Sequence, residues 1–156
     1  MTTTPNWTIY ESPLGPLTLV GGPAGLSALD FPGHDAPLDE DRRDPAPFAD
    51  AVGQLEEYFA GRRVCFDVPL DLAGGTPFQR SVWNALLEIP CGATTTYRAL
   101  ARAVGRPDAV RAVGSAVGRT PVPIIVPCHR ALGSDGSLTG YRGGLRRKQA
   151  LLDLER

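Results

Sequence analysis

Cys128 and His129 stand side by side in "IIVPCHRAL", at the end of an apolar run, with Pro127 before them and Arg130 after. These are the residue types of a nucleophile and its base. A free cysteine is only a few per cent thiolate at neutral pH, yet it reacts strongly once deprotonated. His129 can take that proton, directly or through one water. A carboxylate would hold the imidazole in the required tautomer. Glu155 is the acidic residue, beyond Asp135 and Asp153, that a packed helix can deliver. Cys–His–Glu then follows the nucleophilic triad logic in another chain order. By residue types alone, a cysteine hydrolase is also open. Successive side chains of a strand point to opposite faces, so this relay requires a turn after Pro127.

Metal chemistry finds little support. The two histidines, His34 and His129, and the cysteines Cys65, Cys91 and Cys128 make no CxxC or HxxxH pair. No metal site is expected. Three scattered cysteines argue against a disulfide framework and for a reducing compartment, the cytoplasm. The start, "MTTTPNWTIY", has neither a basic region nor an apolar core, and no apolar stretch approaches the length of a membrane span. Neither a secretion signal nor a membrane association is expected.

The elements that must position Cys128 come from two stretches of different style. "WTIYE", "LTLVG" and "GLSALDF" are short apolar runs separated by turn chemistry, and they predict three antiparallel strands. "HDAPLDEDRRDPAP" reads as a loop. Phe48, Val52, Leu55 and Phe59 recur at helical spacing up to Gly61. "VCFDVPLDLAGG" reads as a strand followed by a linker, with Cys65 a structural small hydrophobe between Val64 and Phe66. From Thr76 onward helices dominate. "TPFQ" is a capping box with proline at the first helical position, and Phe78, Val82, Trp83, Leu86 and Leu87 give the helix an apolar face ending near Pro90.

"TYRALARAVG" and "RPDAVRAVGSAVGRT" are two further short helices joined at Gly105, with Pro107 in the first turn of the latter. The pair suggests a helix-turn-helix. Its second helix is almost without bulk (Ala109, Ala112, Gly114, Ser115, Ala116), and Arg111 is its one long cation. Small residues suit either tight helix packing or a helix pressed into a narrow groove. "TPVPIIVP" predicts a short buried strand that leaves Cys128 at a turn. A glycine-rich loop carrying Tyr141 follows, and "LRRKQALLDLE" closes as an amphipathic helix carrying Lys148 and Glu155. The whole is an α+β chain, with domains expected at 1–75 and 76–156. Residues 1–75 carry 4 basic against 12 acidic side chains, and residues 76–156 carry 12 against 5. A basic second half points to a polyanionic partner, against the alternative of an unevenly charged solvated surface.

"PVPIIVPCHRALGSDGSLTGYRGGLRRKQALLDLE" resembles the active-site region of the O(6)-alkylguanine-DNA alkyltransferases. "FQRSVWNALLEIPCGATTTYRALARAVGRPDAVRAVGSAVG" resembles the helix-turn-helix region that precedes it in that family. "SPLGPLTLVGGPAGLSALDF" and "AVGQLEEYFAGRRVCFDVPL" are similar to its small ribonuclease-H-like domain. The resemblance implies repair of alkylated guanine in double-stranded DNA by a monomer. The base is flipped out, and the alkyl group moves to a cysteine once per molecule, with no cofactor. It further implies that Cys128 is the acceptor, His129 the water-linked base and Glu155 its orienting carboxylate. Tyr97 would stabilise the leaving guanine, and Arg111 would enter the vacated stack from a helix in the minor groove. Backbone groups of Cys128, Ala131 and Arg142 would line the guanine edge, while Tyr141 and Lys148 shape the pocket. Thr120 stands where the family usually has an asparagine that bridges backbone groups. Related lesion-binding proteins that do not react carry tryptophan in place of the cysteine, so Cys128 argues for the reactive kind. A fused regulator would need a further zinc-bearing domain.

Overall fold

The computed structural model describes residues 4–33 and 38–156. The chain divides into two compact units, Met1–Leu72 and Ala73–Arg156. The division falls three residues before the boundary drawn from the sequence, because Gly75 belongs with the helix that follows it. A Cβ on Gly75 would stand 2.3 Å from the Trp83 ring, and Arg80 donates to the carbonyls of Ala73 and Gly75.

The first unit is an antiparallel meander, β1 (Asn6–Ser12), β2 (Gly15–Gly22) and β3 (Gly25–Asp30), in that spatial order. Thr8 pairs with Leu19 and Leu19 with Leu29, which stacks one buried face across all three strands. Helix α1 (Ala49–Phe59) packs on β1 and buries Ala51, Leu55 and Tyr58. Its buried stripe is turned from the expected one, since Val52 and Phe59 are only half-buried. The loop predicted over 34–47 lies partly outside the described residues; its remainder contains two single 3-10 turns.

The strand expected at "VCFDV" does not form. The segment meets β3 only around Leu26, whose N–H donates to Pro69 O at 2.9 Å and whose carbonyl accepts from Asp71 N at 2.9 Å. Pro69 has no N–H to extend the ladder. The backbone of Asp67 is instead satisfied by the Gln54 side-chain amide, which donates at 3.0 Å and accepts at 2.8 Å. Cys65 is exposed, so it does not pack as the small hydrophobe anticipated.

The second unit begins with α2 (Pro77–Leu87), whose capping box forms as expected: Gln79 N donates to Thr76 Oγ1 and Thr76 N to Gln79 Oε1. Val82, Trp83 and Leu86 are buried, whereas Leu87 is exposed. A two-residue strand β4 (Thr95–Thr96) leads into α3 (Tyr97–Ala103), and α4 (Val110–Gly118) completes the helix-turn-helix. Pro107 lies in the turn before α4 and not in its first turn, because a bond from Ala109 N to Arg106 O closes a tight turn around it. Trp83 Nε1 donates to Ala116 O at 2.8 Å and pins α2 to α4.

The predicted strand over 120–127 is a buried tight turn. Val126 N donates to Val122 O, and Pro123 and Val126 make a single bridge. Three prolines deprive the segment of donors, and Ile124 takes φ +76°, a strained choice for a β-branched residue. Residues 122–131 are nevertheless all buried. A 3-10 turn over Cys128–Arg130 follows, then β5 (Ala131–Leu132), parallel to β4, and finally α5 (Leu145–Leu154). Among the described residues no helix is long and apolar enough to cross a membrane.

Candidate active site

The turn required after Pro127 is present, and it separates Cys128 from His129 while keeping both buried, at 4% and 0% exposure. The closing helix delivers its carboxylate: Glu155, the C-cap of α5, places Oε2 2.7 Å from His129 Nε2. The other two acidic candidates are engaged elsewhere. Asp135 caps Ser137 in the exposed loop, and Asp153 pairs with Arg156 at the surface.

Arg130 completes the arrangement. Its Nε and Nη2 donate to Glu155 Oε1 and Oε2, each at 2.8 Å, and its Nη1 donates to Ile89 O. Both carboxylate oxygens therefore accept from the guanidinium, in the paired geometry that arginine favours. The proton between His129 and Glu155 then belongs to Nε2, which leaves the lone pair on Nδ1. Nδ1 has no protein hydrogen-bond partner among the described residues. A neutral imidazole with a buried lone pair on Nδ1 can accept a proton there. Burial, the largest effect, holds His129 below its ordinary 6.5; Glu155 opposes this, and Arg130 and Lys148 reinforce it.

Burial also pushes the Cys128 thiol up to about 11, against a pull from Thr120, Tyr141 and Lys148, which face it. At rest the sulfur is therefore protonated and needs a base to become a nucleophile. Lys148, the only lysine in the sequence, is fully buried on α5. Its Nζ donates to Ala131 O at 2.7 Å and to Thr139 O at 3.0 Å, and burial lowers its pKa. Ala131 N–H donates to Cys128 O, so this short stretch is held from both sides.

Tyr97 opens α3 behind the Thr96 N-cap, and its hydroxyl meets Thr139 Oγ1 at 2.9 Å. Thr120 is buried, and its hydroxyl donates to Val117 O at 2.7 Å, binding the end of α4 to the entry of the active-site turn. Tyr141 and Arg142 are half-buried in the loop before α5. Arg111 does not join the buried cluster and is exposed on α4. So are Ala112, Ser115 and Gly118, while the larger Val113 and Val117 face the core. The exposed face of α4 is thus free of bulk apart from Arg111, whereas Ala116 is buried beneath it and Gly114 is half-buried. No group of three or more potential metal-ligating side chains occurs among the described residues.

Local sequence patterns single out neither Arg130 nor Thr139. Arg130 is visible only as a neighbour of the Cys-His pair, and Thr139 carries no signal at all.

Residues 77–156 match the family model described as 6-O-methylguanine DNA methyltransferase, DNA binding domain, and residues 6–72 match the ribonuclease-like domain of the same protein. The chain belongs to this family. It is 50% identical over 148 residues to a Mycobacterium tuberculosis methylated-DNA–protein-cysteine methyltransferase, an alignment that covers 94% of this chain and 89% of that one. A Methanosarcina barkeri protein of the same name is 48% identical over 156 residues, covering 94% of each. Among solved structures, Mycobacterium tuberculosis OGT in complex with DNA superposes with a TM-score of 0.90 at 49% identity, covering 96% of this chain and 92% of that one. The α+β class inferred from the sequence agrees with these matches.

Proposed function

We propose that the protein repairs alkylated guanine in double-stranded DNA by moving the alkyl group from the guanine oxygen to Cys128 Sγ, once per molecule. The observation that carries this reading is the buried Cys128 thiol beside a His129 whose Nε2 is fixed by Glu155 and whose Nδ1 is available. The basic unit Ala73–Arg156, with the bulk-free outer face of α4, supplies the DNA-binding surface. Arg111 enters the stack from that face as the lesion leaves it.

The buried sulfur explains why the nucleotide must be flipped, since an intrahelical base cannot reach it. Flipping costs a few kcal/mol, less for a poorly paired lesion. His129 Nδ1 takes the thiol proton, through one water, and the imidazolium is stabilised by Glu155. The thiolate attacks the alkyl carbon; the sulfur–carbon bond forms as the carbon–oxygen bond breaks. The electron pair passes into the guanine ring, where Tyr97 donates a hydrogen bond to a ring nitrogen. A proton returned to the ring, equal to the one lost by the thiol, completes guanine. Backbone groups of Cys128, Ala131 and Arg142 line the base edge, and Tyr141 and Lys148 shape the pocket around it. The alkyl group arrives with the DNA, and the thioether that remains has no easy exit.

Action in a reducing compartment such as the cytoplasm fits this reading, since none of the three cysteines is in a disulfide. The deciding experiment weighs the intact protein after incubation with duplex DNA containing O(6)-methylguanine. A gain of one methyl group per chain is expected. Tight binding without any gain in mass would instead assign the chain to lesion binding without transfer.

A further inference from the structure

Thr139 reaches two side chains of the site at once. Its hydroxyl donates to the Tyr97 hydroxyl oxygen at 2.9 Å, and its carbonyl accepts from Lys148 Nζ at 3.0 Å. We propose that Thr139 is a positioning residue for Tyr97, aiming the phenolic O–H at the departing guanine and strengthening its donation. The proposal rests on the functional reading above.

A phenolic oxygen can accept one hydrogen bond while donating another. With Thr139 on one of its lone pairs, the Tyr97 proton is directed away from the loop and toward whatever enters the pocket. Hydrogen bonds in a chain polarise one another, so the bond accepted from Thr139 makes Tyr97 a better donor. The ring has neighbours on two other elements. Gly114 of α4 faces its edge, where an added Cβ would stand at an ordinary contact of 3.9 Å from Tyr97 Cδ1, and the Lys148 ammonium stands 6.0 Å from the ring centroid. Thr139 itself is confined. Lys148, anchored on Ala131 O, pins its carbonyl, and its Cγ2 packs where a Cβ on Gly133 would be only 3.3 Å away. A branched side chain on a pinned backbone has little rotamer freedom. The hydroxyl is thus held in place for Tyr97.

The role is specific to the leaving group. Guanine departs as a poorly stabilised anion and needs a donor at its ring; iodide departs without one. Removing the Thr139 hydroxyl should therefore slow transfer from alkylguanine and leave attack on an alkyl iodide unchanged.

The experiment compares the parent, Thr139→Val, Thr139→Ala, Thr139→Ser, Tyr97→Phe and the Thr139→Val/Tyr97→Phe double variant. Each is assayed for single-turnover transfer from O(6)-methylguanine duplex, for Cys128 alkylation by iodoacetamide and for melting temperature. Thr139→Val and Thr139→Ala should each slow transfer about fivefold, the rate equivalent of one net hydrogen bond. Thr139→Ser, which keeps the hydroxyl and loses only the methyl that steadies it, should transfer faster than Thr139→Val, and Thr139→Val should add nothing in the Tyr97→Phe background. Iodoacetamide rates should match throughout. The proposal is overturned if the hydroxyl-free variants transfer at the parent rate. It is equally overturned if their deficit persists in the Tyr97→Phe background or extends to iodoacetamide, since either marks a loop-packing role. A parent that transfers no methyl group refutes the functional reading itself, and the Thr139 assignment with it.

Discussion

Arg130 and His129, neighbours in the chain, meet on one atom: Glu155 Oε2 receives Arg130 Nη2 at 2.8 Å and His129 Nε2 at 2.7 Å. Protonating His129 therefore places an imidazolium beside a guanidinium on a shared oxygen. Burial and this arginine together keep the imidazole neutral below its ordinary 6.5. Between the lowered folded value and 6.5, the unfolded chain binds a proton that the folded chain does not. Stability should then be complete above 6.5 and fall as pH drops through that window. Thermal melts from about pH 8 downward should show the loss, and it should shrink in His129→Gln.

The Cys128 thiol gives the opposite sign at high pH. Raised from 9.0 to about 11, it keeps its proton where the unfolded chain has lost one. Stability should decline as pH rises from about 9 to about 11, by roughly 2–3 kcal/mol at full extent, and Cys128→Ser should remove the decline. Iodoacetamide labelling of Cys128 in the folded protein should be slow at neutral pH and climb steadily across the same range.

Cys128 should be the only cysteine that accepts the alkyl group. Cys65 is exposed and outside the unit that holds the His129–Glu155 pair, and Cys91 is half-buried near the end of α2. Peptide mapping after reaction with methylated DNA should place the added methyl group on Cys128. Modification chiefly at Cys91 would overturn the assignment.

Arg111→Ala should weaken repair of duplex DNA far more than reaction with the free alkylguanine base. The side chain is exposed on α4, so its removal should leave the melting temperature within about 2 °C of the parent. Equal losses on both substrates would point to a structural role.

Thr120→Val should lower stability by about 1 kcal/mol, because it removes the buried hydroxyl that donates to Val117 O. Transfer should fall with it, since that bond joins the end of α4 to the turn carrying Cys128. Thr120→Asn should leave transfer unchanged or raise it modestly. A Thr120→Val protein equal to the parent in denaturant melts and in transfer would show that the hydroxyl bridges nothing.

Local rules made much of this chain readable. Alternation and turn residues located β1 to β3, the Thr76–Gln79 pair marked the start of α2, and strand geometry alone demanded the turn after Pro127. Misreadings came where backbone groups found partners that periodicity does not record. "VCFDV" alternates like a strand, yet Gln54 supplies by side chain what a neighbouring strand would have supplied. "TPVPIIVP" is apolar like a buried strand, yet its prolines and the φ of Ile124 fold it back on itself. Arg130 and Thr139 depend on partners 25 and 42 residues away, Glu155 and Tyr97, and no local pattern announces such pairs.

Lys148 has a practical consequence. As the sole lysine, sealed inside the second unit, it leaves the folded surface without a single side-chain amine, every other cation being arginine. Amine-directed acylation can reach this residue only in molecules that have opened. The fraction of Lys148 acylated over time is therefore a built-in gauge of unfolding. Applied before and after the one-time reaction, it would report directly whether carrying the alkyl group loosens the protein.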